Sequence, residues 1–175
     1  MIGKDCVLLV MGNLTILNDF SVSVHRALQE IDPNYLSYDG LVVCGTHAPH
    51  DTEMMIEKIR EARETGRVFL GECFGHQLAC IEWARSVMGI PDATSEEFGK
   101  GTFVVVKRPK LKVGYVDGES WWSNYMVRED VEKNYIENKP KTFFLAPFHP
   151  SYQSRIGNFH PLLVKFLKAC QKQVV

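Results

Sequence analysis

The most constraining stretch is Val68-Phe69-Leu70-Gly71-Glu72-Cys73-Phe74-Gly75-His76-Gln77-Leu78. It reads as a buried apolar strand, a tight turn carrying one cysteine between two glycines, and the start of a helix. A nucleophile held on a sharp strand-to-helix turn needs small neighbours, because side chains there would meet the reversing backbone. Gly71 and Gly75 stand two residues either side of Cys73, where that demand falls. The helix that follows brings unpaired N–H groups and a positive dipole end near the sulfur, which favours thiolate. A buried structural cysteine beside two turn glycines is the competing reading, so the surrounding pattern has to decide.

That pattern alternates. Cys6–Met11 is an apolar run read as a strand, followed by a polar-mixed loop from Asn13 to Asp19. A helix from Ser21 buries Val24, Ala27, Leu28 and Ile31. Leu41–Cys44 is a second strand, and the loop Gly45–His50 follows it. The next helix starts at Asp51 or Thr52, buries Met55, Ile56, Ile59 and Ala62, and closes at Gly66. The helix after Cys73 turns Leu78, Ile81, Ala84, Val87 and Met88 inward and stops near Gly89. Beyond it, Thr94–Gly101 reads as a loop. Phe103–Val106 and Lys112–Val116 read as two strands around an Arg108-Pro109 turn. Ser123–Lys141 is charged with weak periodicity, Thr142–Phe148 is a strong strand, and Leu162–Cys170 is an amphipathic helix.

Strands alternating with helices of this length predict an α/β fold with a mostly parallel central sheet and helices on both faces. Sites in such sheets lie beyond the carboxyl ends of the strands. The Gly45 loop and the Cys73 turn should therefore face one another. The 175 residues form one expected domain, 1–175, without repeats or linkers. A net charge of -1 gives no electrostatic case for nucleic acid or an anionic membrane. No apolar run reaches membrane-spanning length and no signal peptide is evident. Five irregularly spaced cysteines suit a reducing cytoplasm better than a disulfide framework.

A thiol nucleophile needs a base, usually histidine, and often a third group that orients it. Of six histidines, His25 is expected on a helix surface, and His47 and His50 lie in the loop facing Cys73. His76 is in the first turn after it, and His160 precedes the last helix. His149 is the best base, because a strand next to the Cys73 strand would deliver it to the same sheet edge. Zinc held by Cys73-x-x-His76 and His47-x-x-His50 is a weaker reading, since spacing alone carries it. No metal and no cofactor is expected.

The segment Gly71–Leu78 resembles the nucleophile motif of the class I glutamine amidotransferases. Ile81–Gly89, Asp92-Ala93, Ser95–Phe98, and Phe143–Phe148 running through His149-Pro150 to Gln153-Ser154-Arg155 resemble the amidotransferase domain of the CTP synthase family. The resemblance implies a flavodoxin-like fold, with Cys73 as nucleophile and His149 as base. It implies an oxyanion hole from Phe74 and the Gly45–Thr46 segment, and glutamine contacts at Gln77 and Glu97. In that family a glutamate two residues after the histidine orients it, and ammonia passes to a separate synthase domain.

The departures are specific. Ser151 stands where the glutamate is expected, and the oxyanion glycine pair reads Gly45-Thr46. Ser123–Val127 occupies the place of a motif carrying a glutamine-binding arginine, and Arg128 is off register. No synthase-like phosphate loop is present. Trp121, Trp122 and Tyr125 either pack a flap on the sheet or wall the substrate pocket, with Tyr125 the candidate contact. Two readings follow. One is a Cys–His hydrolase of a carboxamide, glutamine or another acyl-nitrogen compound, with a separate synthase subunit as a possible partner. The other is a catalytically impaired binding or regulatory module.

Overall fold

The computed structural model describes residues 8–10, 19–46 and 48–173, the first three by their backbone alone. The rest of the Cys6–Met11 run, the loop to Asn18 and His47 lie outside the described residues. Seven strands and six helices follow in chain order: β1 (Leu8–Val10), α1 (Asp19–Ile31), β2 (Leu41–Val43), α2 (Thr52–Thr65), β3 (Phe69–Glu72), α3 (Phe74–Ser86), β4 (Ala93–Ser95), β5 (Thr102–Val116), β6 (Glu119–Val127), α4 (Glu129–Asn138), β7 (Phe143–Ala146), α5 (Pro150–Gln153) and α6 (Pro161–Gln171). A 3-10 turn, Tyr35–Ser37, precedes β2.

The central sheet has the order β1-β2-β3-β7. β2, β3 and β7 run parallel, with Leu41 opposite Phe69 and Phe69 opposite Phe143, while β1 pairs antiparallel with β2. The parallel strands are apolar at successive positions because both faces are covered. Alternation sorts their side chains. Leu41, Val43, Phe69 and Phe143 pack with Met55 and Ile59 of α2 and Leu78 and Ile81 of α3. Val42, Val68 and Leu70 pack with Val24 and Leu28 of α1 and Leu163, Phe166 and Leu167 of α6. The sheet is therefore sandwiched, as the pattern predicted.

α3 is buried over all of Phe74–Ala84, so its polar residues need internal partners. Glu82, 1% exposed, receives Arg63 Nε at 3.1 Å on both oxygens and Nη2 at 3.0 Å. Trp83 Nε1 donates to Asn134 Oδ1 at 2.8 Å, tying α3 to α4. The helix stops at Ser86, and Val87, expected inside, is half-exposed.

The middle of the chain differs from its reading. The expected 94–101 loop begins as strand β4, and Arg108-Pro109 is no turn. One strand, β5, runs through it, with a register shift between Lys107 and Lys112 where the proline cannot donate to the ladder. β5 pairs antiparallel with β6 in a long hairpin, turned at Asp117-Gly118, both with positive φ. Ser123–Lys141 resolves into the end of β6 and α4. Among the described residues no helix is long and apolar enough to cross a membrane.

Candidate active site

The carboxyl ends of β2, β3 and β7 converge as the fold rule requires, delivering Cys44-Gly45, Cys73 and the segment reaching His149. Cys73 has φ 50° and ψ −99°, a conformation side chains rarely adopt. Its N–H donates to Ala146 O at 2.8 Å, so the β3–β7 ladder holds the turn at its first residue. The glycines are there for space. A Cβ on Gly75 would lie 2.1 Å from Val43 O, and one on Gly71 would lie 2.8 Å from the Gly75 carbonyl carbon. The turn closes only because both are absent.

Cys73 lines a small cavity of about 90 Å³ with Phe20, Thr46, Phe74, Gln77, Glu97, Trp122, Ser123, Asn124 and Tyr125. That is room for about three waters. Thr46, Phe74, Gln77, Glu97 and Tyr125, all singled out in the sequence, thus meet around Cys73. Gly45 instead backs the site: a Cβ there would sit 2.9 Å from His149 Cε1 and 3.0 Å from the Phe20 ring. Tyr125 and Trp122 come from β6, so the hairpin forms a wall of the cavity. Trp121 turns the other way, 7% exposed, with Lys112 Nζ 3.5 Å above its ring and Phe148 beside it. Trp122 thus faces the Cys73 cavity, whereas Trp121 packs within the hairpin region.

The electrostatics run against a resting thiolate. Burial first, then the charges of Glu72 and Glu97, push the Cys73 thiol up to about 12, outweighing the Phe74 N–H and the Arg108 charge that pull it down. The expectation that the helix end would favour thiolate is therefore corrected: desolvation in the closed turn is the larger effect. Sγ donates to Trp122 O at 3.5 Å, and His149 Nε2 lies 3.4 Å from the same oxygen. The two side chains converge on one carbonyl. His149 has no exposed surface. Its ring stacks on Phe20 of α1, centroids 4.7 Å apart, and on Tyr152 at 5.2 Å. Burial also raises Glu97 to about 7.

Ser151 is fully buried beneath His149. Its N–H and Oγ–H donate to Glu72, to Oε1 at 3.1 Å and to Oε2 at 2.8 Å, and Glu72 Oε2 stands 4.0 Å from His149 Nδ1. Burial pushes the Glu72 carboxyl up to about 8 against the pull of the two Ser151 bonds.

Sequence alone singles out Glu72 as the carboxylate nearest Cys73 and leaves its direction open; strand alternation sets it on the face of Val68 and Leu70, where it is buried. Two residues escaped the sequence reading. Phe20 gave no signal beyond its helix. Arg108, read as a turn residue, lies half-buried over Trp121, 5.3 Å from the ring centroid, and its Nε donates to Tyr125 O at 3.0 Å. It lines a second cavity of about 150 Å³ with His76, Gln77 and Glu132. Arg128 pairs with Asp130 on the surface.

His76 does not join Cys73. Its Nε2 is 3.6 Å from Cys80 Sγ and 3.3 Å from Glu132 Oε1, yet burial and the Arg108 charge hold the imidazole at about 4, hence neutral. His25, expected on the surface, is half-buried and bonded to Tyr35 Oη. Among the described residues no group of three or more His, Cys, Asp or Glu could hold a metal ion.

The family model for class I glutamine amidotransferases matches residues 15–143, which include Cys73 and stop short of His149. The chain is similar to the CTP synthase of Methanoregula boonei, 31% identical over 180 aligned positions covering 77% of this chain and 34% of the relative. It is similar to that of Archaeoglobus fulgidus, 44% identical over 195 positions covering 83% and 37%. The chain thus spans about a third of the length of these relatives. In structure it resembles the glutaminase domain of Trypanosoma brucei CTPS with bound acivicin, with a TM-score of 0.69 over 86% of this chain and 88% of that one at 19% identity, a likeness of fold. With the family match covering the β3–α3 elbow and the strands from β2 to β6, this chain belongs to the class I glutamine amidotransferases and is related to the amidotransferase part of CTP synthase.

Proposed function

We propose that the chain hydrolyses a carboxamide through Cys73 and His149, releasing ammonia, and that its preferred amide is not free glutamine. The observation that carries this reading is the convergence of Cys73 Sγ and His149 Nε2 on the Trp122 carbonyl, beside the cavity that Cys73 and Trp122 line at the carboxyl edge of the sheet. Cys73 Sγ attacks the amide carbon while His149 Nε2 takes the thiol proton. The oxyanion forms against the Phe74 N–H and the Gly45–Thr46 segment. Collapse breaks the C–N bond, His149 returns the proton to the departing nitrogen, and ammonia leaves. Water then cleaves the thioester, giving the carboxylic acid and restoring the thiol.

Gln77, Glu97 and Tyr125 are the substrate contacts in this scheme. Glu97 suits an amino or hydroxyl donor. No arginine or lysine lines the cavity among the described residues, so a substrate carboxylate finds no charge-assisted partner there. Glutamine turnover is therefore weak, and an amide without a carboxylate beside the amine is preferred. Because the relatives are CTP synthases, the released ammonia suits a separate synthase subunit as acceptor. The second reading, an impaired binding module, is favoured by the high thiol pKa and by the Trp122 carbonyl that occupies both reacting atoms.

The test is steady-state ammonia release from L-glutamine, L-glutamine amide and butyramide, with wild type and Cys73→Ser. Cys73-dependent turnover, larger for the amides lacking a carboxylate, supports the first reading. No turnover of any of them, with binding retained, supports the second. Glutamine turnover near the enzyme median of about ten per second removes the substrate preference.

A further inference from the structure

Resting on the Cys73–His149 reading, we propose that Glu72 is the carboxylate that positions His149, supplied from the strand before the nucleophile while Ser151 holds it in place. The geometry follows from strand alternation. Glu72 is the last residue of β3, opposite Ala146, and points to the α1 face of the sheet with Val68 and Leu70. His149 lies on that face against Phe20. The carboxylate has no exposed surface. Two donors from one residue, the Ser151 N–H and Oγ–H, fix both of its oxygens. The oxygen that takes the hydroxyl is also the one 4.0 Å from His149 Nδ1. A modest ring rotation brings that pair to hydrogen-bond distance, and catalytic contacts commonly tighten only when substrate arrives.

The arrangement also explains why residue 151 is a serine. A glutamate at 151 would set two carboxylates against one imidazole in a dry site, where like charges disfavour ionisation of both. A serine donates to the carboxylate already there. The acid and its holder have exchanged roles relative to the pattern of the family.

A proton movement follows. A carbonyl only accepts, so the His149 Nε2 contact with Trp122 O selects the Nε2–H tautomer in the resting site. That tautomer has no lone pair at Nε2 for the thiol proton. Ionised Glu72 draws the imidazole proton to Nδ1 and frees Nε2, and it then stabilises the imidazolium formed during attack. The other titratable groups facing Glu72 are Cys73 from the elbow, Cys44 from the end of β2 and Tyr152 from α5, all pushed upward by burial. Arg26 of α1 reaches the Ser151 carbonyl at 3.5 Å. Glu72, raised to about 8, thus ionises before these three groups as pH rises.

The experiment uses the whole chain with His149 labelled for nitrogen NMR, at about pH 6.5 and about pH 9.5, in wild type, Glu72→Gln and Glu72→Asp. The expected result is a His149 proton that moves from Nε2 to Nδ1 with pH in wild type and stays on Nε2 in Glu72→Gln. In the ammonia assay, Glu72→Gln should lower kcat by roughly 100-fold to 10,000-fold with KM unchanged, and remove the rise in rate between neutral pH and about pH 9. Ser151→Ala, which keeps the carboxylate but loosens it, should cost roughly tenfold. Ser151→Glu should not raise the rate, whereas the exchange Glu72→Ser with Ser151→Glu should recover part of what Glu72→Ser alone loses.

Equal tautomers in wild type and Glu72→Gln at both pH values would overturn the assignment, as would a Ser151→Glu enzyme faster than wild type. If Glu72→Gln does not fold, Glu72→Asp and Ser151→Ala carry the same tautomer comparison. If no amide is turned over, the hydrolase reading falls, while the NMR comparison still decides whether Glu72 positions His149.

Discussion

The β3–α3 elbow and the β5–β6 hairpin meet over the same cavity, yet they are held by different physics. In the elbow, backbone packs on backbone. Gly75 leaves no space above Val43 O, Gly71 lies against Gly75, and Cys73 adopts a conformation that this packing enforces. In the hairpin, Gly114 and Gly118 have positive φ and open space around them, and Leu111, Val113 and Tyr115 are exposed. The elbow leaves the backbone at Cys73 no room to shift. The hairpin offers side chains that can be exchanged without disturbing it. The first region thus constrains the backbone at Cys73, and the second supplies side chains around the cavity.

The largest effect that would sharpen this contrast is at Gly75. Gly75→Ala should destabilise the protein by more than about 3 kcal/mol, because a main-chain oxygen cannot yield as a side chain does. Urea denaturation would read it, and a near-native midpoint would break the contrast.

Alkylation of Cys73 comes next. With the thiol at about 12, the thiolate fraction at neutral pH is small and grows about tenfold per pH unit. Iodoacetamide labelling, followed by mass spectrometry from about pH 6 to about pH 9, should accelerate about a thousandfold and reach Cys73 before Cys44, Cys80 or Cys170, which do not line this cavity. A flat profile would mean that His149 already holds the thiol proton.

Within the hairpin the two tryptophans should separate. Trp121→Ala should cost about 3 kcal/mol in thermal unfolding, as truncation of a large buried ring does. Trp122→Ala should change stability by less than about 1 kcal/mol yet shift KM for amides several-fold. Equal stability losses would put both rings in the core.

The elbow was legible because its determinants lie within eleven consecutive residues: an apolar strand, two glycines, a cysteine and a helix start. The parallel sheet and its helices were legible for the same reason, as apolar periods of two and of 3.6. The hairpin was not. Pro109 suggested a turn, whereas a bulge absorbs it. Along β6 the buried alternate positions are Trp121 and Ser123, and a serine on the inner face hides the period. Glu72 was legible as the carboxylate nearest Cys73, but not the direction of its side chain. Its position after three residues that fill the sheet was the available signal, but its partner Ser151 is 79 residues away and came from the fold.

The smallest effect is at the hairpin turn. Gly118→Ala should lower stability by about 1 kcal/mol, the cost of a side chain at positive φ with no clash, and leave amide hydrolysis unchanged. A loss of activity with that modest change would mean that the turn sets the height of β6 over Cys73.

The Trp122 carbonyl has one more consequence. It is a peptide oxygen, so every amino acid at position 122 would present it, and no exchange of side chains removes it. A mutational scan of β6 reports only what rings and amides contribute around this oxygen. Backbone chemistry reaches it: an ester in place of the Trp122–Ser123 amide makes the carbonyl a poorer acceptor while keeping every side chain. The group that touches both Cys73 and His149 is in this way invisible to the genetic code.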